Sequence, residues 1–527
     1  MRNTWWVTRP KRNLVSAPLC LKVLADVAAG RAWRSEGKRT ELTIEQGLED
    51  AGLKRPGRRR DQGGGGARTY RAWLKSLGLV FMDDADRLQL TCAGQALVEG
   101  QPPLPILSEQ VYKYQFPSSF TYSGSSAVDP RFKVRPFVFL LQLLLDERLG
   151  GVLSEKDEIA LIVLCYGTSN RQKTVDDVVE RILNFRQRGV DSLDADYVQR
   201  FASSRSRETS FEKLAANLRD VANTCRNWLG FTQLIDVEAG MWKIASGGVE
   251  EAQTVVNTYA AKLLIDDWND EEKYQRRYGL VPGQRKDTRN LDGQVGAISA
   301  GAIEEMRVDH AYLGLASSKV IARISPEVVN EVATKTGISP ARVEQVLTTK
   351  YPGGSAAWFM AQYVQLAFQS RERATEFEVA TTAIFRDVFG FQAKHIGPIP
   401  RRPDIVIASE PANYGALLDS KAYKTGYSAT IGQQNRMRDY IEDFPDYALS
   451  DAPLSFFAYV VSGTKATLRS QIQDIARQNG IPGAAITAAQ LAAMVERHSA
   501  KRYTHEQICQ ILSVNREVEM TDLALVG

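Results

Sequence analysis

The chain has 527 residues, 44% apolar and 24% charged, with a net charge of only +4. That length exceeds one hydrophobic core and implies about two to four domains, and the composition is that of an ordinary soluble globular protein. No apolar run reaches the roughly 18–20 residues of a membrane span (Val134–Leu149 stops short and is closed by charges), and five scattered cysteines without CxxC pairs argue against a disulfide framework or a zinc site.

Residues 1–13 lack the apolar stretch of a secretory signal, so a cytoplasmic protein with buried, reduced thiols is expected. The small net charge does not by itself mark a nucleic-acid binder, but its distribution does more. Lys54, Arg55, Arg58, Arg59, Arg60, Arg68 and Arg71 lie in one stretch with glycines at 63–66 and a single acid, Asp61. A solvated loop is the plain reading of such a run; so uncompensated and glycine-loosened, it also suits a segment that wraps phosphates and releases counterions.

Tyr70, Trp73, Leu74 and Leu77 then fall at helical spacing, closed by Gly78 as a C-cap, and 79–91 reads as two short strands around an acidic turn. The same grammar returns in 217–245, where a helix ends at Leu229-Gly230 before a strand, a turn and a second strand. Helix, glycine and hairpin make the second half of a winged helix, so two winged-helix-like modules in tandem are expected, with packed helices over 134–186 between them. Such modules also serve protein–protein contacts; the basic run beside the first favours double-stranded DNA. Residues 266–295 are highly charged and weakly periodic, which reads as a linker or an exposed crossing. In 324–351 two helices joined at TGIS place Ala333, Gly337 and Val343 at helix-turn-helix spacing, with a helical spacer as the alternative.

From about 370 the pattern becomes α/β. An amphipathic helix at 375–391 is followed by strands at 401–409 and 413–423, a helix at 430–444 and a wholly apolar strand at 454–463, which belongs in a sheet interior. Two strands carry charge at their ends. Asp404 opens one; Asp419 and Lys421 close the other, and their spacing puts both on one face with the Ser420 carbonyl between them. Two carboxylates and a carbonyl oxygen form the hard donor set that Mg²⁺ requires, and a neighbouring lysine can orient or deprotonate water and offset phosphate charge. An N-cap aspartate and a surface D/K pair are the alternative for so short a pattern; the flanking apolar strands and preceding helix favour the site.

The stretch FGFQAKHIG…RRPDIVIASEPANYGALLDSKAYKTGYSATIGQQNRMRDYI, with FFAYVVSG beyond it, resembles the cleavage domain of FokI-type restriction endonucleases, including Lys394-His395, Tyr414-Gly415, Ile431-Gly432-Gln433, Met437 and Tyr440 outside the triplet. More weakly, WLKSLGLVFMDDADRLQLTCAGQAL and YKYQFPS are similar to the DNA-reading regions of related Type IIS and nicking enzymes. The resemblance implies that Asp404 and Asp419 bind metal, that Lys421 is the catalytic lysine, and that Glu378 assists through water. It also implies self-association, a dimer or larger, for double-strand cleavage. Asn435 and Asp439 stand where the family has a reciprocal ion pair across its dimer, so any such contact here uses other residues, with Arg436 and Arg438 as candidates.

The expected architecture is multidomain: recognition modules at 1–130 and 131–265, a charged linker and helical spacer at 266–368, and a PD-(D/E)xK nuclease domain with a mixed sheet at 369–527. The expected function is a bacterial Type IIS-like endonuclease that binds an asymmetric duplex site and cuts outside it with Mg²⁺, leaving 5′-phosphates. The alternatives are a strand-specific nickase and a DNA-binding regulator with an inactive nuclease-like domain.

Overall fold

Ten of the twelve residues of α1 (Ala17–Ala28) are buried, so this helix is surrounded and not merely amphipathic. Two further helices, α2 (Trp33–Asp50) and α3 (Gly65–Ser76), pack on it. The computed structural model describes residues 2–55, 65–101, 103–118, 128–202, 210–245, 248–267, 270–291, 299–351, 354–367, 374–397, 399, 401–422, 426–465 and 467–524. It forms two compact units, Met1–Ala311 and Tyr312–Gly527. No helix among the described residues is long and apolar enough to cross a membrane.

In the first unit α3 leads into the antiparallel hairpin β1 (Val80–Met82) and β2 (Leu88–Leu90). Gly78 makes the turn between helix and strand at φ +70°, and a Cβ there would collide with Gln110 and Tyr278, so the position needs glycine for conformation and for space. Asp83 holds the hairpin turn, accepting from the backbone and guanidinium of Arg87 at 2.8 Å each and from Gln89 at 2.9 Å. After α4 (Pro136–Leu144) comes β3 (Val152–Ser154). The second hairpin follows α5 (Phe211–Phe231), as β4 (Ile235–Glu238) and β5 (Met241–Ile244), and β3 pairs with β5 to widen it into three strands. That third strand, far upstream in sequence, carries no local signal.

The charged stretch read as a linker folds differently. Its helix α7 (Glu271–Tyr278), which follows α6 (Val249–Tyr259), buries Tyr274 and Tyr278 at 1% exposure each. Gln110 donates to the Tyr278 carbonyl, and Glu271 binds both Lys75 at 2.5 Å and the Met82 backbone N–H at 3.0 Å. The periodicity was too weak to show this because the buried face is made of tyrosines and a glutamine instead of aliphatics.

In the second unit α8 (Pro326–Thr336) and α9 (Pro340–Lys350) meet at Gly337, left-handed at φ +72°, with Ala333 and Val343 buried between them. Then α10 (Ala374–Ala383) precedes a six-stranded sheet: β6 (Gln392–His395), β7 (Ile405–Ser409), β8 (Tyr414–Lys421), β9 (Leu454–Val461), β10 (Gly483–Thr487) and β11 (Arg516–Glu517), in the spatial order β11-β10-β9-β8-β7-β6. The β6–β7–β8 ladder is antiparallel and β8–β9–β10–β11 parallel, so the sheet is mixed as expected. Cores lie on both faces. Ile405 and Leu418 face a cluster with Phe377 and Ile384; Val406 and Leu417 face one with Met437, Tyr427 and Tyr459.

Candidate active site

The register Ile405↔Leu418 between β7 and β8, continued by one residue, sets Asp404 directly opposite Asp419. Alternation puts both, with Lys421, on the face of Val406 and Leu417. Lys421 Nζ stands 2.7 Å from Asp419 Oδ2 and 3.4 Å from Asp404 Oδ2, so one ammonium spans two carboxylates. The Ser420 backbone N–H donates to Asp404 Oδ2 at 2.7 Å. The N–H and C=O of one strand residue point to the same edge, so the Ser420 carbonyl is directed to the Asp404 side as well.

The electrostatics are strained in one direction. Burial, then the negative charge of Asp419, pushes the Asp404 carboxyl up to about 8. Burial opposes the Lys421 ammonium, but Asp419 and Asp404 outweigh it and hold the lysine above its ordinary range. Asp419 is 5% exposed, and its Oδ1 is buried without a hydrogen-bond partner. An orphaned anionic oxygen at the meeting point of like charges is costly unless something positive fills the gap.

The donors fit a hard divalent cation: oxygens from Asp404, Asp419 and the Ser420 carbonyl. Among the described residues no group of three or more His, Cys, Asp or Glu side chains is arranged to hold a metal.

Glu378 lies on α10, and its charge raises Asp404 further, so it is close to the pair. It is already engaged: His395 Nε2 stands 2.8 Å from Glu378 Oε2. His395 was one of the sequence matches but had no role; only the fold brings β6 and α10 together. Tyr440, on α11 (Ile431–Glu442), also borders the site, its hydroxyl pushed up to about 12 by burial and then by Asp419.

The basic run divides. Arg58, Arg59 and Arg60 lie outside the described residues. Lys54 forms an ion pair with Glu45, which is 1% exposed, and Arg68 binds Glu41 at 2.9 Å. Arg71 stacks over the Trp33 ring at 4.2 Å, and Arg55 is exposed. Lys54 and Arg68 therefore serve first to neutralise buried glutamates. In the second unit Arg438 donates to Asn435 at 3.2 Å and Arg436 to the Gly432 carbonyl at 3.4 Å.

A mixed sheet that carries an aspartate at one strand end, opposite a D-x-K at the next, has the pattern of the PD-(D/E)xK nucleases. The comparisons narrow this. Residues 337–519 match the family model of the FokI cleavage domain, and residues 75–281 match that of the AlwI restriction endonuclease. The Type II restriction enzyme FokI of Planomicrobium okeanokoites is 34% identical over 86 residues, 16% of this chain and 15% of that protein. The Type II restriction enzyme StsI of Streptococcus sanguinis is 26% identical over 145 residues, 25% of this chain and 24% of that protein. The chain thus matches about a quarter or less of the length of these curated relatives. The solved structure of restriction endonuclease FokI aligns over 98% of this chain and 100% of its own at 14% identity, with a TM-score of 0.29, too loose to define a shared arrangement of parts. The resemblance to FokI-type restriction enzymes read from the sequence is borne out over residues 337–519, which are similar to the FokI cleavage domain.

Proposed function

We propose that the chain is a Type II restriction endonuclease of Type IIS character, which binds an asymmetric duplex sequence through its first unit and hydrolyses DNA outside that sequence with its second. The observation that carries this is the Asp404–Asp419 pair bridged by Lys421, inside the segment that matches the FokI cleavage domain. The helix–hairpin elements at 65–90 and 211–244 act in this reading as winged-helix modules on the duplex; the 326–350 helix pair is a further DNA element or a spacer.

Asp404, Asp419 and the Ser420 carbonyl would hold Mg²⁺, which supplies Lewis acidity and a more acidic bound water. The chain's own contributions follow from its geometry. The Lys421 ammonium offsets negative charge that grows on the scissile phosphate. Glu378, steadied by His395, accepts a hydrogen bond from water beside the pair. Tyr440 and the buried Tyr459 wall the site on one side and lower its dielectric, which strengthens each of these interactions. In-line attack with the 3′ oxygen leaving gives 5′-phosphate ends. One site breaks one strand, so a double-strand break calls for a second copy in a two-fold-related orientation. The protein would act in a bacterial cytoplasm.

The test is incubation of plasmid DNA with Mg²⁺ and with EDTA. Cleavage in Mg²⁺ that EDTA stops and that Asp404→Ala abolishes is expected. Cleavage that survives either change would overturn the reading.

A further inference from the structure

The first unit holds a cleft of about 700 Å³. Its walls come from the β1–β2 turn, Lys113 at the end of the helix Pro103–Lys113, the start of α4, the segment after α6, α7, and residues 280–287. Eight basic and four acidic side chains line it, an excess equal to the net charge of the entire chain.

Most of these cations are committed, and how they are committed is informative. Arg135, 4% exposed, donates to the carbonyls of Tyr259 at 3.3 Å and Leu263 at 2.9 Å and also to that of Lys262, while its Nε is buried without a partner. It braces the loop that carries Lys262. Lys113 Nζ donates to the Leu280 carbonyl at 3.0 Å and braces the start of the segment that carries Arg285 and Lys286. Asp287, next along, is clamped by Arg289 at 2.7 Å and Arg276 at 3.4 Å. The buried Arg135 and the half-buried Lys113 thus pin the loops on which Lys262, Arg285 and Lys286 stand exposed at the cleft. Among the described residues no acid forms an ion pair with those three.

Lys262, whose ammonium lies 5.4 Å from the Tyr259 ring centre, Arg285 and Lys286 have no acid paired with them and stand on braced backbone, so they present positive charge at little ordering cost, which suits a repeating anion more than a compact one. We propose that this cleft binds the sugar-phosphate backbone of duplex DNA through Lys262, Arg285 and Lys286. The inference rests on the reading that the first unit is the DNA-binding one, and it moves the main phosphate contact away from Lys54 and Arg68. Contacts of this kind position the protein without reading sequence.

The experiment uses the full chain and fluorescently labelled duplexes, with anisotropy measured over a range of salt. The triple variant Lys262→Gln, Arg285→Gln, Lys286→Gln should lower the salt-dependence slope by about two to three units and weaken specific and random duplexes alike. A matched triple, Lys173→Gln, Lys213→Gln, Lys501→Gln, removes the same charge from exposed positions elsewhere and should leave the slope unchanged. All six positions are exposed, so melting temperatures should not move. Equal slopes for the two triples would overturn the proposal, as would displacement of duplex from the wild-type protein by millimolar inorganic phosphate at constant ionic strength, which would indicate a small-anion pocket. If the cleft triple binds like wild type while wild type binds and cuts DNA, the cleft assignment fails and the functional reading stands. A wild-type protein that binds no duplex overturns both.

Discussion

The basic run of the first unit and the acidic strand ends of the second are both charge clusters at sequence level, and the fold treats them oppositely. Lys54 and Arg68 are folded back onto Glu45 and Glu41, each positive charge meeting a buried negative one. Asp404 and Asp419 are set face to face, with a single lysine between them and one carboxylate oxygen left without a partner. Opposite charges paired one to one describe a scaffold, even though Glu45 Oε1 itself stays without a hydrogen-bond partner. Like charges held together at an energetic cost describe a candidate site, which in the proposed function would hold a divalent cation.

The sharpest way to break this contrast is at the strand ends. Asp404→Ala, Asp419→Ala and Lys421→Ala should each slow plasmid cleavage by at least about 10²–10³-fold, while gel shifts show duplex affinity nearly unchanged. If binding is lost together with cutting, the two functions are not separable in the way the two units suggest. Ca²⁺, which tolerates looser oxygen geometry, should support binding without turnover.

The complementary change is in the scaffold. Lys54→Met leaves the buried Glu45 carboxylate unpaired and should cost about 3 kcal/mol of stability in urea unfolding, by the usual penalty for breaking a buried pair. Unchanged stability with a marked fall in duplex affinity would instead make Lys54 a phosphate contact and erase the distinction.

A smaller effect is expected where scaffold and site touch. His395→Ala frees Glu378 and should lower kcat about tenfold with KM little changed. His395→Gln retains an N–H donor and should recover most of the loss. Equal rates for the two variants would mean that the Glu378 contact does not matter.

The smallest effect lies away from both clusters. Burial alone pushes the Glu496 carboxyl up to about 7. Its folded-state value lies above the unfolded one, so the stability it contributes is present below about pH 4.5 and lost as pH rises through about 7. Glu496→Gln should therefore raise the melting temperature modestly at pH 8 and hardly at all at pH 4. A gain equal at both values would point to a cause other than this titration.

Much of the second unit was legible locally. Apolar runs bounded by turn residues marked β7, β8 and β9, and the D-x-K spacing placed Asp419 and Lys421 on one face before any fold was known. These are short-range consequences of strand geometry, in which alternate residues share a face. The helix–Gly78–hairpin and the Gly337 turn were legible for the same reason, since the chain reverses within a few residues and names its own turn. What tertiary structure alone decided was pairing at long range. Residues 152–154 joined a hairpin some ninety positions downstream, α7 turned out to be core and not linker, and Glu378 found His395. The basic run could not be divided into structural and free charges from its sequence, because Glu41 and Glu45 lie on a different helix. The cleft with Lys262, Arg285 and Lys286 is assembled from six pieces of chain, and their sequence does not show that they meet. Local conformation follows from neighbours in sequence, whereas the state of a charge depends on what the fold places beside it, and one chain read in order does not contain that distance.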